Sequence, residues 1–229
     1  MESLSWPVEW KRDPKREQRY RELGSAGVHV VWVDYDGVGE QGLLIPGTRP
    51  RKRTLLLCAA FGLLASAMAI LMSVGVILDG EWELIGGAVL FGLIGFALLV
   101  PSVLSLRHVN SKHLPGLRLT PTRVIWASFD GSHLAVHWND IARVRPFLQS
   151  GGNFRQWWNA FSVEVHDPSV VLRNLGPKAR RLHRMTNGSA VLTMNDKQLA
   201  ANPKLAFHLI RHHFETPTAR PDIAQALGA

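Results

Sequence analysis

The sequence predicts a membrane α-helical hairpin plus an α+β domain, in which about six or seven short antiparallel strands are closed by one C-terminal helix. Three observations carry the prediction: two uncharged apolar blocks, a series of short alternating segments broken by turn residues, and one capped amphipathic stretch near the end. Composition agrees with it. The 229 residues are 46% hydrophobic and 19% charged, yet 26 Lys and Arg face 18 Asp and Glu, for a net charge of +8. A mean hydropathy of +0.02 in so basic a chain signals separate greasy and charged regions. Disorder, collagen and a disulfide scaffold are excluded, the last because Cys58 is the only cysteine.

Residues 1–53 are expected to form a cytoplasmic N-terminal segment. Trp6-Pro-Val-Glu-Trp10 is suited either to a core or to an exposed aromatic patch, and residues 11–23 read as a charged surface helix or a disordered arm. A β-hairpin is expected over 28–45, turned at Asp36-Gly37. The segment carries charge throughout and has no apolar h-region, so a secretory signal is not expected.

The apolar blocks fill residues 54–106. The first runs from Thr54 to Leu78 and the second from Leu84 to Leu106, and neither contains Asp, Glu, Lys, Arg or His. As helices they would reach ~37 Å and ~35 Å, enough for a hydrocarbon core of ~30 Å. Buried core helices of a small soluble domain would keep a polar face, which both blocks lack. The five residues Asp79-Gly80-Glu81-Trp82-Glu83 allow only an antiparallel hairpin, with Trp82 at headgroup depth. Arg49, Arg51, Lys52 and Arg53 precede the first span and Arg107 and Lys112 follow the second, whereas the loop holds three acids and no base. The positive-inside rule then puts both termini in the cytoplasm, in an inner or plasma membrane crossed twice. Small residues at Ala65, Ala69 and Ser73, and at Ala88 and Gly92, would let the spans approach. Pro101 is expected to kink the second. With no ionisable group in either span, an ion pathway is not expected.

Residues 107–229 carry 16 basic and 7 acidic side chains. Strands are expected at 117–120, 123–128, 133–138, from about 141, at 160–166, at 170–172 after the Asp167-Pro168-Ser169 turn, and at 189–194, with a hairpin at Asp130-Gly131. Asn202 as N-cap and Pro203 at the first helical position start a helix that runs to about Phe214. Leu205, Ala206, Phe207, Leu209, Ile210 and Phe214 share its apolar face.

LRLTPTRVIW at 117–126, the Asp130-Gly131 turn, the phrase from Val136 through Trp138, Asp140 and Ile141 to Val144, and the closing NPKLAFHLIRHHFETPTAR resemble the bacterial pleckstrin-homology-like (PH-like) domains. In those domains a strand ends in Trp-x-Asp-Ile-x-x-Val and a terminal helix plugs an open β-barrel. They often accompany a two-helix hairpin in actinobacterial membrane proteins. The resemblance covers about residues 115–215 and implies a C-terminal PH-like open β-barrel with an adaptor or ligand-binding role and no enzyme activity. Eukaryotic members bind phosphoinositides through bases between their first two strands. The matching turn here offers Pro121, Thr122 and a single base, Arg123, so that site does not carry over.

Several local patterns invite chemistry. Val30-Val-Trp-Val-Asp34-Tyr-Asp36-Gly37 resembles the first motif of haloacid-dehalogenase phosphatases, where Asp34 would be nucleophile and Asp36 acid/base. That reading makes the chain a membrane-bound phosphohydrolase, but the required Lys, Ser/Thr and second acidic pair have no room before residue 54. Asp34, Asp36 and Glu40 lack the remaining ligands of a calcium loop. His208 and His212, one helical turn apart and beside His213, suggest a metal-sensing regulator, yet a solvated helix face explains them better. Arg173, Lys178, Arg180, Arg181 and Arg184 form the densest basic run and are the expected contact with anionic lipid headgroups or an acidic protein partner. Trp82, Trp157 and Trp158 are candidate interfacial aromatics, the last two clustered with Phe154. The expectation is a non-catalytic, membrane-tethered binding or scaffolding module in the lipid bilayer, with no metal, cofactor or nucleic acid and with an unidentified membrane or cytoplasmic partner.

Overall fold

The computed structural model describes residues 4–25, 27–49, 51–80, 82–109, 114–128, 132–151, 156–174 and 189–225. The chain divides into two compact units. Arg49–His113 form one; Met1–Thr48 together with Leu114–Ala229 form the other. This differs from the expected separation of residues 1–53 from 107–229, because strands from both segments share one sheet.

In the larger unit, helix α1 (Pro14–Leu23) precedes a hairpin of β1 (His29–Tyr35) and β2 (Val38–Pro46). Its turn is Asp36-Gly37 with φ of 54° and 75°, the left-handed pair that a two-residue hairpin loop requires. After an apolar helical hairpin come β3 (Gly116–Leu119), β4 (Arg123–Ala127) and β5 (His133–His137). The five strands form one antiparallel sheet in order β1-β2-β3-β4-β5. β2 and β3 pair directly, Leu43 opposite Leu119 and Ile45 opposite Leu117, although the apolar helices lie between them in sequence. The predicted Asp130-Gly131 turn lies outside the described residues, but Ala127 opposite His133 brackets it.

A second antiparallel sheet contains β6 (Ile141–Ser150), β7 (Trp157–Val165) and β8 (Ala190–Asn195). The two sheets remain separate and do not close into a barrel. Helix α5 (Pro203–Glu215) starts as predicted, with the Asn202 side chain accepting from the Lys204 N–H at 3.0 Å. One core joins all three layers: Leu43, Leu117 and Val136 from the first sheet, Phe161, Val163 and Met194 from the second, and Phe207 and Ile210 from α5. Trp138 of the Trp-x-Asp-Ile phrase is 2% exposed, and its indole donates to the Thr120 carbonyl at 2.8 Å.

The strand expected at 170–172 is instead a helical turn, α4 (Pro168–Val171), continued as a 3₁₀ turn over Leu172–Asn174. The Asp167 carboxylate caps it by accepting from the Ser169 N–H at 2.8 Å, with Pro168 at the first helical position. The cap outweighs the β preference of Val170 and Val171, while Val171 and Leu172 still reach the core.

In the smaller unit, α2 (Lys52–Asp79) and α3 (Ile85–Val109) are long and apolar enough to cross a membrane. Only 17% and 11% of their most apolar windows is buried by protein, unlike the mostly buried core helix of a soluble domain. The helix α3 runs through Pro101 without ending. The two backbones approach closely at Gly62, Ser66 and Gly95, next to Ala65 of the expected small-residue set, whereas Ala69 and Gly92 of that set meet more loosely. A Cβ at Gly62 would lie 2.8 Å from the Leu99 backbone nitrogen, and one at Gly95 2.9 Å from that of Ser66, whereas one at Gly92 would only touch Ala69 at 3.8 Å.

Gly95→Val should therefore force the helices apart and destabilise the full chain in detergent by ~1–3 kcal/mol, the usual cost of overpacking. Gly86→Ala, where nothing lies within 4 Å, is the control and should be near neutral. Equal melting temperatures for the two variants would refute this contact.

Candidate anionic-ligand site

The site is built from the N-terminal arm. Asp13 caps α1 by accepting from the Arg16 N–H at 2.9 Å, Pro14 occupies the first helical position, and Gly24 ends the helix at φ 46°. Only Tyr20 of this helix is buried, so polar contacts dock it. The Trp10 indole donates to the Ala160 carbonyl at 2.7 Å. Asn159 accepts from the Lys11 N–H at 2.9 Å and donates to the Lys11 carbonyl at 3.1 Å, as another strand would. Asn159 also donates to the Tyr20 hydroxyl at 3.1 Å, and that hydroxyl donates to Asp196 Oδ2 at 3.3 Å. Asn202 Nδ2 donates to the Tyr20 carbonyl at 2.9 Å. Trp6 stacks on Tyr20 with ring centroids 5.4 Å apart.

This docking leaves a cleft of about 350 Å³ between α1, the start of β7 and the turn after β8. Lys11, Lys15, Arg16, Arg19 and Lys197 line it against Asp13 and Asp196, with Trp157 and Trp158 on one wall. Arg16 contacts Asp13 Oδ2 at 3.2 Å and Asp196 Oδ2 at 3.7 Å and donates to the Trp157 carbonyl. Arg19 donates to the Asp196 carbonyl at 3.0 Å. Among the described residues, Lys11, Lys15 and Lys197 are exposed and make no ion pair. The cleft thus presents a cationic surface suited to an anion.

Asp196 is 2% exposed. Burial pushes its carboxyl above the ordinary carboxylate range, against the opposing pull of Arg16, Arg19, Lys197 and the Tyr20 hydrogen bond. Burial and the neighbouring Asp196 charge likewise hold the Tyr20 phenol protonated above its usual range.

The sequence-derived candidates are placed as follows. Arg173 is exposed in the 3₁₀ turn after α4, and Lys178, Arg180, Arg181 and Arg184 lie outside the described residues, as does Phe154. Trp82 is exposed in the turn between α2 and α3. Trp157 is 45% exposed and Trp158 half-buried, both at the cleft. Asp34 sits exposed on β1 opposite Gly39 and Asp36 in the hairpin turn, while Glu40 accepts from the Thr122 hydroxyl at 2.8 Å. An antiparallel hairpin is not the parallel strand from which the phosphatase motif projects its aspartates. His208 Nε2 lies 2.7 Å from the Ser5 carbonyl, and buried His213 contacts the Leu209 carbonyl at 2.8 Å. No group of three His, Cys, Asp or Glu side chains able to hold a metal occurs among the described residues. The cleft itself escaped the sequence reading because Arg16 and Asp196 are 180 positions apart and no local spacing joins them.

The raised Asp196 pKa fixes a sign. The folded state holds this proton more tightly than the unfolded chain, so the group's stabilising contribution is full below the ordinary carboxylate range and lost as pH rises through the folded pKa. Asp196→Asn, neutral at every pH, should gain melting temperature relative to the parent from pH 4 to pH 7.5. A gap that narrows over that range, read by thermal unfolding of the full chain, would overturn the assignment.

The chain matches no protein-family model, no curated protein and no solved structure.

Proposed function

We propose that the chain is an integral, non-catalytic binding or scaffolding module. Its hairpin crosses the inner or plasma membrane, and its mixed sheet–helix unit, a PH-like domain, works on the cytoplasmic face. The observation that carries this reading is the β2–β3 pairing. Because the segments before and after the hairpin share one sheet and one core, both must lie on the same side of any bilayer that α2 and α3 cross. Arg49, Arg51, Lys52 and Arg53 on that side, against Asp79, Glu81 and Glu83 in the loop, favour the cytoplasm. Three strands of the first sheet, three of the second and the closing α5 fall within residues 115–215 and support the PH-like reading, although the two sheets stay separate. The partner that fits is anionic: a lipid headgroup or an acidic surface of a neighbouring membrane or cytoplasmic protein, met at the basic cleft.

Single cysteines placed at Glu83 and at Lys204, in a chain with Cys58→Ser, test the topology. A membrane-impermeant maleimide added to intact cells should label position 83 and spare 204, with the reverse in inverted vesicles. Labelling of position 204 in intact cells would overturn the cytoplasmic assignment.

A further inference from the structure

Among the described residues, two buried side-chain atoms lack a hydrogen-bond partner: Arg16 Nη1 and Asp196 Oδ1. Both residues line the same cleft. The Nη1 contact with Asp13 at 3.2 Å is an ion pair only, outside hydrogen-bond geometry. Native proteins seldom leave such atoms unsatisfied, and one orphan donor beside one orphan acceptor calls for a partner that is both acceptor and donor. The lysines at the mouth add a charge requirement, because Lys11, Lys15 and Lys197 have no ion-pair partner among the described residues. Simple anions would meet the lysines and Arg16 but leave Asp196 Oδ1 unpaired.

We propose that this cleft binds a phosphate ester carrying an ammonium group nearby, the chemistry shared by an ethanolamine or serine phospholipid headgroup and soluble phosphoethanolamine. The phosphate accepts from Lys11, Lys15, Lys197 and Arg16 Nη1, and the ammonium donates to Asp196 Oδ1. Both orphan atoms are buried, so the Arg16 guanidinium turns from Asp13 toward the phosphate as the ligand enters. An ammonium suits this acceptor better than a hydroxyl, since a buried carboxylate gains most from a charged donor. A cleft of about 350 Å³ has room for such a headgroup, and Trp157, 45% exposed at its rim, suits the membrane interface. The lipid source rests on the membrane-anchored reading above; the binding chemistry does not.

The test is calorimetric titration of the full chain in phosphatidylcholine nanodiscs with phosphoethanolamine, phosphocholine and inorganic phosphate. Phosphocholine has no N–H and cannot satisfy Asp196. Phosphoethanolamine should bind about tenfold more tightly than phosphocholine, the ratio that ~1.4 kcal/mol of one charge-assisted hydrogen bond produces. Asp196→Asn should abolish the preference and leave inorganic phosphate binding within about twofold. The exposed triple variant Lys11→Ala, Lys15→Ala, Lys197→Ala should weaken all three ligands at least tenfold while keeping the parent melting temperature. Equal binding of the two esters, a preference that survives Asp196→Asn, or no binding of phosphoethanolamine at millimolar concentration overturns the proposal. Nanodiscs containing phosphatidylethanolamine then identify the source. Loss of phosphoethanolamine binding in them shows that the lipid occupies the cleft, and unchanged binding assigns it to a soluble ligand. Failure here with the maleimide pattern intact removes the ligand class alone, whereas labelling at position 204 in intact cells removes the lipid source even if the cleft binds.

Discussion

The fold depends on the β2–β3 ladder. Leu43, Leu44, Ile45 and Pro46 pair with Leu119, Arg118, Leu117 and Gly116, although the apolar helices lie between them in sequence. For the sheet-bearing unit, the helical hairpin is a long insertion whose ends must meet again, and the Gly47 N–H donating to the Pro115 carbonyl at 2.9 Å marks where they do. Loop-closure entropy grows only slowly with length, but an unstructured insertion of this size would still oppose the pairing. An antiparallel helix pair meets the same condition from its own side, because its two free ends lie at one end of the hairpin. Gly62, Ser66 and Gly95 pack the two helices of that hairpin against each other.

The N-terminal arm is the second constraint. Trp10 and Tyr20 belong to the same core as Phe161, Phe207 and Ile210, so residues 6–23 complete the soluble unit. They are held less by apolar area than by Asn159, which treats Lys11 as a strand partner and Tyr20 as a buried hydroxyl. Once every partner is satisfied, such a network fixes one arrangement. That arrangement brings Lys15, Arg16 and Arg19 of α1 beside Asp196 and so creates the basic cleft.

Much of this was legible in the sequence wherever the signal is local. The apolar blocks, the Asp36-Gly37 turn, the alternating strands from Leu117 to Met194 and the Asn202-Pro203 helix start all depend on neighbours a few positions apart. Where local signals competed, the weaker one misled: Val170-Val171-Leu172 reads as a strand until the Asp167 cap is weighed. Small residues recur throughout both apolar helices, and only the crossing geometry selects Gly62 and Gly95 among them. The joining of the N-terminal segment to the later strands had no sequence signature, since ladder pairing depends on register between segments and not on spacing within one. The same holds for the cleft, where Lys11 to Arg19 looked like an ordinary solvated face.

The cleft also explains an energetic oddity. A carboxylate buried at Asp196, contacted by Arg16 only at 3.7 Å, is costly to keep in a domain that could have placed a neutral residue there. The desolvation that raises its pKa is a direct mark of that cost. Tyr20 and Arg19 hold the surrounding geometry through the Asp196 side chain and carbonyl, but an asparagine would serve the Tyr20 hydrogen bond as well. What asparagine cannot supply is negative charge among five cations. The Arg16 contact at 3.7 Å and the Tyr20 hydrogen bond at 3.3 Å are long for a buried charge, and a charge held at such a cost accords with the stability–function exchange common at binding sites.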